Sequence, residues 1–413
     1  MSLRLISNPG SIPELMKFAE WSLANNKRTI YAAPLAVNSS TVSKVESLRS
    51  APLRKIASRL RSRAVPLLNE AEHTWRCGTT AELKFLRARA GSPTGALKDL
   101  KIRNEEFDRR VARRVEKHGG VDVAIARSTA ALMTLREVKR TGVGILDYPI
   151  VHHELLAELI RDESREFPHL SHTMTVDMRT ASERVALDRE IEEADKILTL
   201  SEPHRESFRR AGVPAHKLFQ IPLGVDVSLF SPPTVFNANP RHIVFSGQVI
   251  QRKGIGYLFK LMDTLPAQYK LTIAGSAPDP SVIPRTERIE YLGPLPRAEL
   301  ANLYRTAGVY VFPSLAEGFP QTPLEALACG VPAIVSDAVY GNNGPVTHGE
   351  NGFLVNPRDV EKMKDLVMSV CEDESMRSRL SGNAASTARG YTWERFGSAL
   401  DGEIEQWLPN PGI

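Results

Sequence analysis

Val309-Tyr310-Val311-Phe312-Pro313-Ser314-Leu315-Ala316-Glu317-Gly318-Phe319-Pro320-Gln321-Thr322-Pro323-Leu324-Glu325 reads as a strand, a loop and the start of a helix. The apolar run 309–312 is the strand, and 313–321 is the loop. Thr322 is expected as the N-cap of the helix, with Pro323 at the first helical position, where no amide hydrogen is needed. Glu325 then falls at the third and completes a capping box. The free amides and positive dipole end of such a helix face whatever precedes it, which suits a phosphate. One segment thus offers an acid at Glu317, a phosphate seat and a second acid at Glu325. Each acid also has a plainer reading, Glu325 as a capping carboxylate and Glu317 as a solvated loop acid. What lifts the functional reading is the company the segment keeps.

Two stretches of the chain alternate short apolar strands with amphipathic helices, the pattern of parallel α/β domains. In the first, strands are expected at 3–7, 29–34, 121–127, 143–148, 197–201 and 218–222, with helices at 13–25, 104–117, 130–140, 153–166, 178–193 and 203–211. The stretch 37–99 fits the alternation poorly and reads as a basic helical or loop insertion. A Pro- and Asn-rich stretch, 231–240, reads as a linker. The alternation then restarts, with strands at 242–246, 270–274, 289–293, 309–312, 333–336 and 351–355. The domains are expected at 1–225 and 226–392, with a terminal helix, 393–413, crossing back onto the first. Open α/β sheets bind ligands beyond the carboxyl ends of their strands, so two facing sheets make a cleft.

A basic turn answers the acidic loop. The strand ending at Ser246 is followed by Gly247-Gln248-Val249-Ile250-Gln251-Arg252-Lys253-Gly254 and then by a helix. Gly247 and Gly254 allow close backbone approach to a ligand, while an Arg fork and a Lys point charge complement two phosphates. Gly254-Ile255-Gly256 does not complete the three-glycine dinucleotide fingerprint. On its own, such a basic pair is more often solvated surface.

The 413 residues are 42% hydrophobic, enough for a sizeable core in two or three domains. The apolar runs are short of a membrane span and the start of the chain carries no long apolar signal region, so a cytoplasmic location is expected. Cys77, Cys329 and Cys371 are few and widely spaced, which indicates neither a disulfide framework nor a cysteine zinc site. The net charge of +5 is uneven: residues 41–120 hold 19 Lys and Arg, among them Arg54, Lys55, Arg59, Arg61, Arg63, Arg109, Arg110, Arg113 and Arg114, against 9 Asp and Glu. That excess wants an anionic neighbour, or is a solvated basic surface. Aromatic residues are sparse among these charges and no nucleic-acid module accompanies them, so an anionic membrane surface or a lipid-linked acceptor ranks above nucleic acid.

Taken together, several fragments resemble the retaining nucleotide-sugar glycosyltransferases of family 4 (glycosyl transferases group 1), which have the GT-B fold. They are Gly247 with Arg252-Lys253-Gly254, then Leu292-Gly293-Pro294-Leu295, then Phe312-Pro313-Ser314 with Glu317-Gly318-Phe319, and Glu325-Ala326-Leu327-Ala328-Cys329-Gly330-Val331-Pro332. Order and spacing match over the whole second half. Ala194-Asp195-Lys196, Ile221-Pro222-Leu223-Gly224-Val225-Asp226 and Tyr391-Thr392-Trp393 add to it.

The resemblance implies two Rossmann-like α/β domains facing across a cleft, and transfer of a sugar from a nucleoside diphosphate sugar to an acceptor hydroxyl with retention. It implies that Arg252 and Lys253 bind the donor diphosphate in the role a metal plays elsewhere, so that no metal or other cofactor is needed. Glu317 would hold hydroxyls of the donor sugar beside the amides of Gly318 and Phe319. Glu325 would bind ribose hydroxyls, Thr322 and Leu324 would offer amides to phosphate, and backbone at Leu292, Gly293 and Leu295 would meet the base. Gly10, in Asn8-Pro9-Gly10-Ser11, lies where the family brings backbone close to the donor phosphates. His152 or His153, after the strand that ends at Tyr148, falls where a cleft histidine often lies near the donor sugar; the plainer reading is a helix cap. A glycan, a lipid-linked molecule or a small molecule would serve as acceptor. The rival readings are a sugar-nucleotide epimerase or phosphorylase of the same fold, and a basic membrane- or nucleic-acid-binding protein.

Overall fold

The computed structural model describes residues 2–10, 12–34, 74–91, 96–175, 177–234 and 238–408. Arg54, Lys55, Arg59, Arg61 and Arg63, and most of the stretch read as an insertion, lie outside them. The first domain runs β1 (Arg4–Ser7), α1 (Pro13–Ala24), β2 (Thr29–Ala33), β3 (Thr74–Arg76), α2 (Thr79–Gly91), α3 (Ala96–His118), β4 (Val123–Arg127), α4 (Leu132–Val138), β5 (Val143–Asp147), α5 (His153–Glu166), α6 (Ala181–Glu193), β6 (Lys196–Thr199), α7 (Glu202–Arg210) and β7 (Leu218–Gln220). A 3₁₀ segment, Pro168–Met174, joins α5 to α6. The second domain runs β8 (Asn239–Ser246), α8 (Ile255–Thr264), β9 (Lys270–Ala274), β10 (Ile289–Gly293), α9 (Arg297–Arg305), β11 (Ala307–Phe312), α10 (Gln321–Ala328), β12 (Ala333–Ser336), α11 (Asp337–Tyr340), β13 (Gly352–Val355), α12 (Val360–Glu372), α13 (Glu374–Ala388) and α14 (Trp393–Trp407).

Among the described residues each domain has one parallel sheet. The strand orders are β3-β2-β1-β4-β5-β6-β7 and β10-β9-β8-β11-β12-β13. These are the two parallel α/β domains expected from the alternation. The strands are apolar on both faces because helices cover both: every residue of β11 is buried, as are Ile243 to Ser246 of β8. Each order reverses once, at β1/β4 and at β8/β11, and a crevice opens at the carboxyl end of such a switch point. Beyond β8 comes the basic turn and beyond β11 the acidic loop, so the topology alone makes them neighbours.

Local boundaries differ from the sequence reading where tertiary pairing overrides periodicity. Thr74–Arg76 pairs in parallel with β2, so the sheet reclaims part of the stretch read as an insertion. α3 starts at Ala96 rather than 104, and β8 begins at Asn239, inside the proline-rich linker. No helix of the described residues is long and apolar enough to cross a membrane.

Two strands of chain cross between the domains side by side, joined by the Val225 amide to the Tyr391 carbonyl at 2.9 Å. The second crossing leads into α14, which packs on α1 of the first domain. Trp21 Nε1 donates to Glu394 at 2.8 Å, Arg4 Nη2 pairs with Glu405 at 2.6 Å, and a Cβ on Gly397 would strike the Trp21 ring. A second clasp is polar and buried. Glu163 of α5, 1% exposed, accepts from Gln251 Nε2 at 2.8 Å, Tyr257 at 3.2 Å and Arg358 at 2.7 Å, all from the second domain.

Candidate functional site

Gln251, Arg252 and Lys253 form one 3₁₀ turn between β8 and α8. It ends at Gly254, whose φ of 74° is left-handed and where a Cβ would collide with the Pro313 carbonyl. Only glycine lets the basic turn lie this close to the loop after β11. The two are bonded as well: Leu315 N donates to the Arg252 carbonyl at 2.9 Å, and Ser314 Oγ lies 3.2 Å from the same oxygen.

On that frame the charges converge. Glu317 Oε1 lies 2.6 Å from Lys253 Nζ, accepts from Arg252 Nη1 at 3.1 Å and from Ser314 Oγ at 2.6 Å. Glu317 and Arg252 are 8% and 7% exposed, so solvent screens the cluster poorly. Burial pushes the Glu317 carboxyl up, but the charges of Lys253 and Arg252, with hydrogen bonds from Lys253 and Ser314, hold it below the usual carboxylate range. Its Oε2 has no protein partner among the described residues. Arg252 also donates through Nε to Asp177 Oδ2 of the first domain at 2.9 Å and through Nη1 to the Ala316 carbonyl at 2.8 Å. Two cations thus face two carboxylates, and the cluster is neutral overall.

The helix start corrects the expected capping box. α10 begins at Gln321 with Pro320 as N-cap and no side-chain cap. Thr322 Oγ1 is committed elsewhere: it accepts from Tyr310 at 2.9 Å and donates to the Ser246 carbonyl at 3.2 Å. Pro323 therefore sits at the third helical position, still within the first turn, where a missing N–H costs little. The amides of Gln321 and Thr322 have no carbonyl of their own helix to bond. Glu325 is 5% exposed, pairs with Arg297 Nη2 at 3.2 Å, and is pushed by burial up to about 7 despite that cation.

Leu292 is 41% exposed at the end of β10. Gly293 beside it has φ 70°, and its carbonyl accepts from Gly275 at 2.8 Å, while Leu295 is half-buried. Gly247 has φ 147° and caps β8 by donating to Ala274 at 2.9 Å.

The first domain brings two loops. Asn8 Oδ1 accepts from Gly10 at 3.1 Å and Ile12 at 3.3 Å, which folds the β1–α1 loop tightly and leaves Gly10 facing the Arg103 guanidinium. The loop after β5 meets the acidic loop directly: a Cβ on Gly318 would collide with the Pro149 carbonyl, and Val151 packs in one apolar cluster with Ala316. His152 and His153 come just after. His152 is the N-cap of α5, Nδ1 accepting from Glu154 N at 3.3 Å, which is the plainer reading of that residue. His153 sits between Tyr148, 3.2 Å from Nδ1, and Asp188, 3.0 Å from Nε2. Burial, aided by His153, lowers His152 to about 4, and burial lowers His153 as well, so both imidazoles are neutral at pH 7.

Asp177 and Ser314 take part in the charge cluster, and Arg297 pairs with the second acid, yet none was singled out as a site residue from the sequence. Ser314 had a local signal, two residues after the strand. Asp177 had none, because its partner Arg252 lies 75 residues away. A separate recess of about 460 Å³ between α7 and the turn at Gly341 and Asn342 shares no residue with the cluster.

Comparison with known proteins follows the same geography. Residues 228–387 match the family model described as Glycosyl transferases group 1, a span that holds the basic turn, Glu317 and Glu325. The chain is similar to the D-inositol 3-phosphate glycosyltransferase of Xylanimonas cellulosilytica, 28% identical over 229 residues, which is 49% of this chain and 55% of that protein. The chain thus spans about half the length of the curated relatives it matches. Among solved structures it is similar to the Anabaena protein HepE in complex with UDP and glucose, with TM-score 0.65 and 16% identity over 98% of this chain and 100% of that one. It is also similar to sucrose-phosphate synthase from Thermosynechococcus elongatus, with TM-score 0.63 and 19% identity over 98% and 95%. At such identities these likenesses show the fold, which is GT-B.

Proposed function

We propose that the chain is a glycosyltransferase that moves a sugar from a nucleoside diphosphate sugar to an acceptor hydroxyl, retaining the anomeric configuration as in family 4. The observation that carries this reading is the convergence of Arg252, Lys253 and Glu317 on one another, with Glu325 in the helix that follows, at the switch point of a GT-B domain. The family-model match over the same residues and the transferase names of the relatives support it.

In this reading the donor diphosphate lies against Arg252 and Lys253 and takes the place of Asp177 on the guanidinium. Both cations then stabilise charge as the nucleoside diphosphate departs, and no metal is required for that step. Glu317, ionised and open at Oε2, accepts hydrogen bonds from donor-sugar hydroxyls beside the Gly318 and Phe319 amides. Glu325, with a proton affinity near neutrality, bonds the ribose hydroxyls, and the orphan amide of Thr322, with the amide of Leu324 beyond it, faces phosphate. The exposed Leu292 and the backbone at Gly293 and Leu295 meet the base, and Gly247 and Gly10 let backbone approach the phosphates. One of His152 and His153 positions a sugar hydroxyl as a neutral imidazole. The departing phosphate assists deprotonation of the acceptor on the same face, and the close fit of Gly318 on Pro149 excludes water. Peripheral contact of the basic first domain with an anionic membrane surface would bring a lipid-linked acceptor to the cleft.

The test incubates the protein with UDP-, GDP-, dTDP- and ADP-sugars in EDTA and assays transfer and slow donor hydrolysis. Turnover in EDTA is expected, with Lys253→Ala lowering kcat by about 10²-fold or more and Glu317→Gln by at least about tenfold. Turnover untouched by both substitutions would sink the assignment.

A further inference from the structure

We propose that the start of α5 carries a site for a divalent transition-metal ion of the zinc class, held by His152, His153 and Asp188 and separate from the Arg252–Glu317 cluster. One ligand atom from each of the three lies within 4.8 Å of the others. The second observation is His153 Nε2. This nitrogen is buried and no hydrogen bond of good geometry reaches it, although Asp188 Oδ1 stands only 3.0 Å away and its charge acts on the ring. A carboxylate that close but off the axis of the ring nitrogen is poorly placed to accept a hydrogen bond. It is placed as two ligands of one ion are, since neighbouring ligands of a tetrahedral ion with bonds near 2 Å are about 3.3 Å apart. Glu154 Oε1 lies 3.8 Å from the same nitrogen, but Arg184 holds it at 3.2 Å, which leaves the fourth position to water.

The surroundings fit ligation. The two imidazole rings lie 4.2 Å apart with planes 30° from parallel, so both reach one side of the α5 start. Tyr148 stands 3.2 Å from His153 Nδ1 and fixes the ring by its other nitrogen, as partners of metal-bound histidines do. Asp188 is more than half exposed on α6 and gives an ion a way in. A bound ion ties α5 to α6 and occupies both histidines, so it competes with the donor-sugar role proposed above for one of them. The proposed transfer reaction needs no such ion, so this site stands or falls on metal binding alone.

The experiment titrates Co²⁺ into the 413-residue chain after stripping with EDTA and removing the chelator, and reads the visible absorbance of four-coordinate Co²⁺; calorimetry repeats it with Zn²⁺. One ion per chain is expected, with Zn²⁺ displacing Co²⁺. His153→Ala and Asp188→Asn should each weaken binding at least tenfold, while His216→Ala, on the exposed surface, leaves it unchanged. Asp188→Asn keeps its volume at a surface position, so it decides the matter even where His153→Ala fails to fold. No four-coordinate Co²⁺ band, or equal affinity in Asp188→Asn and wild type, overturns the proposal.

Discussion

Glu317 gathers three donors on a single oxygen and keeps the other free, whereas Glu325, eight residues on, has one partial partner and a proton affinity near 7. The two acids therefore behave differently with pH. Glu325 is raised by burial, so the folded state holds its proton more tightly than the unfolded chain does. Its contribution to stability is greatest below the unfolded pKa and is lost as pH rises through about 7. If Glu325 accepts hydroxyl hydrogen bonds from a nucleoside, UDP affinity should strengthen several-fold from pH 6 to 8 in the wild type, because the ionised carboxylate is the better acceptor. Glu325→Gln should flatten that profile; a slope that survives in the variant removes Glu325 from the binding site. At this scale the charged residues were legible, since Arg252, Lys253 and Glu317 each announce themselves at a strand-to-helix turn. Asp177 was not legible. It lies in an aperiodic segment, and its meaning comes only from a residue in the other domain.

Elements show the same division. The strands follow their apolar runs because burial on both faces demands it, and α10 lies within two residues of its expected start. The capping box failed for a reason of energetics: the Thr322 hydroxyl finds both an acceptor and a donor across β8 and β11, and two partly buried hydrogen bonds outweigh one cap. The α5 clasp is where element packing can be tested. Glu163→Ala removes a buried carboxylate that satisfies Gln251, Tyr257 and Arg358 together and should cost about 3–5 kcal/mol, read by urea denaturation. Glu163→Gln, which retains part of the bonding, should cost less. If both are neutral, the clasp is not what fixes the basic turn. Gly318→Ala should lower turnover through its collision with Pro149, without comparable loss in denaturation midpoint.

At the scale of the whole molecule, the charge cluster spans both domains, with Asp177 from one and Arg252, Lys253 and Glu317 from the other. A nucleotide that replaces Asp177 binds the folded protein alone and should raise its melting temperature. At 100 times its Kd the linkage amounts to about 2.7 kcal/mol. A thermal-shift panel of UDP, GDP, dTDP and ADP reads this directly; no shift with any of them argues against a nucleotide site. The sequence by itself determined two parallel α/β domains, the place of the cleft and the types of residue at its second-domain wall. Those follow from apolar periods and turn residues acting over a few positions. Only the tertiary structure decided that β3 belongs to the first sheet, that Asp177 holds Arg252, that Thr322 joins strands rather than capping a helix, and that His153 meets Asp188. These are choices among competing hydrogen-bond and charge partners, and they are made only when folding brings distant groups within 3 Å or so of each other.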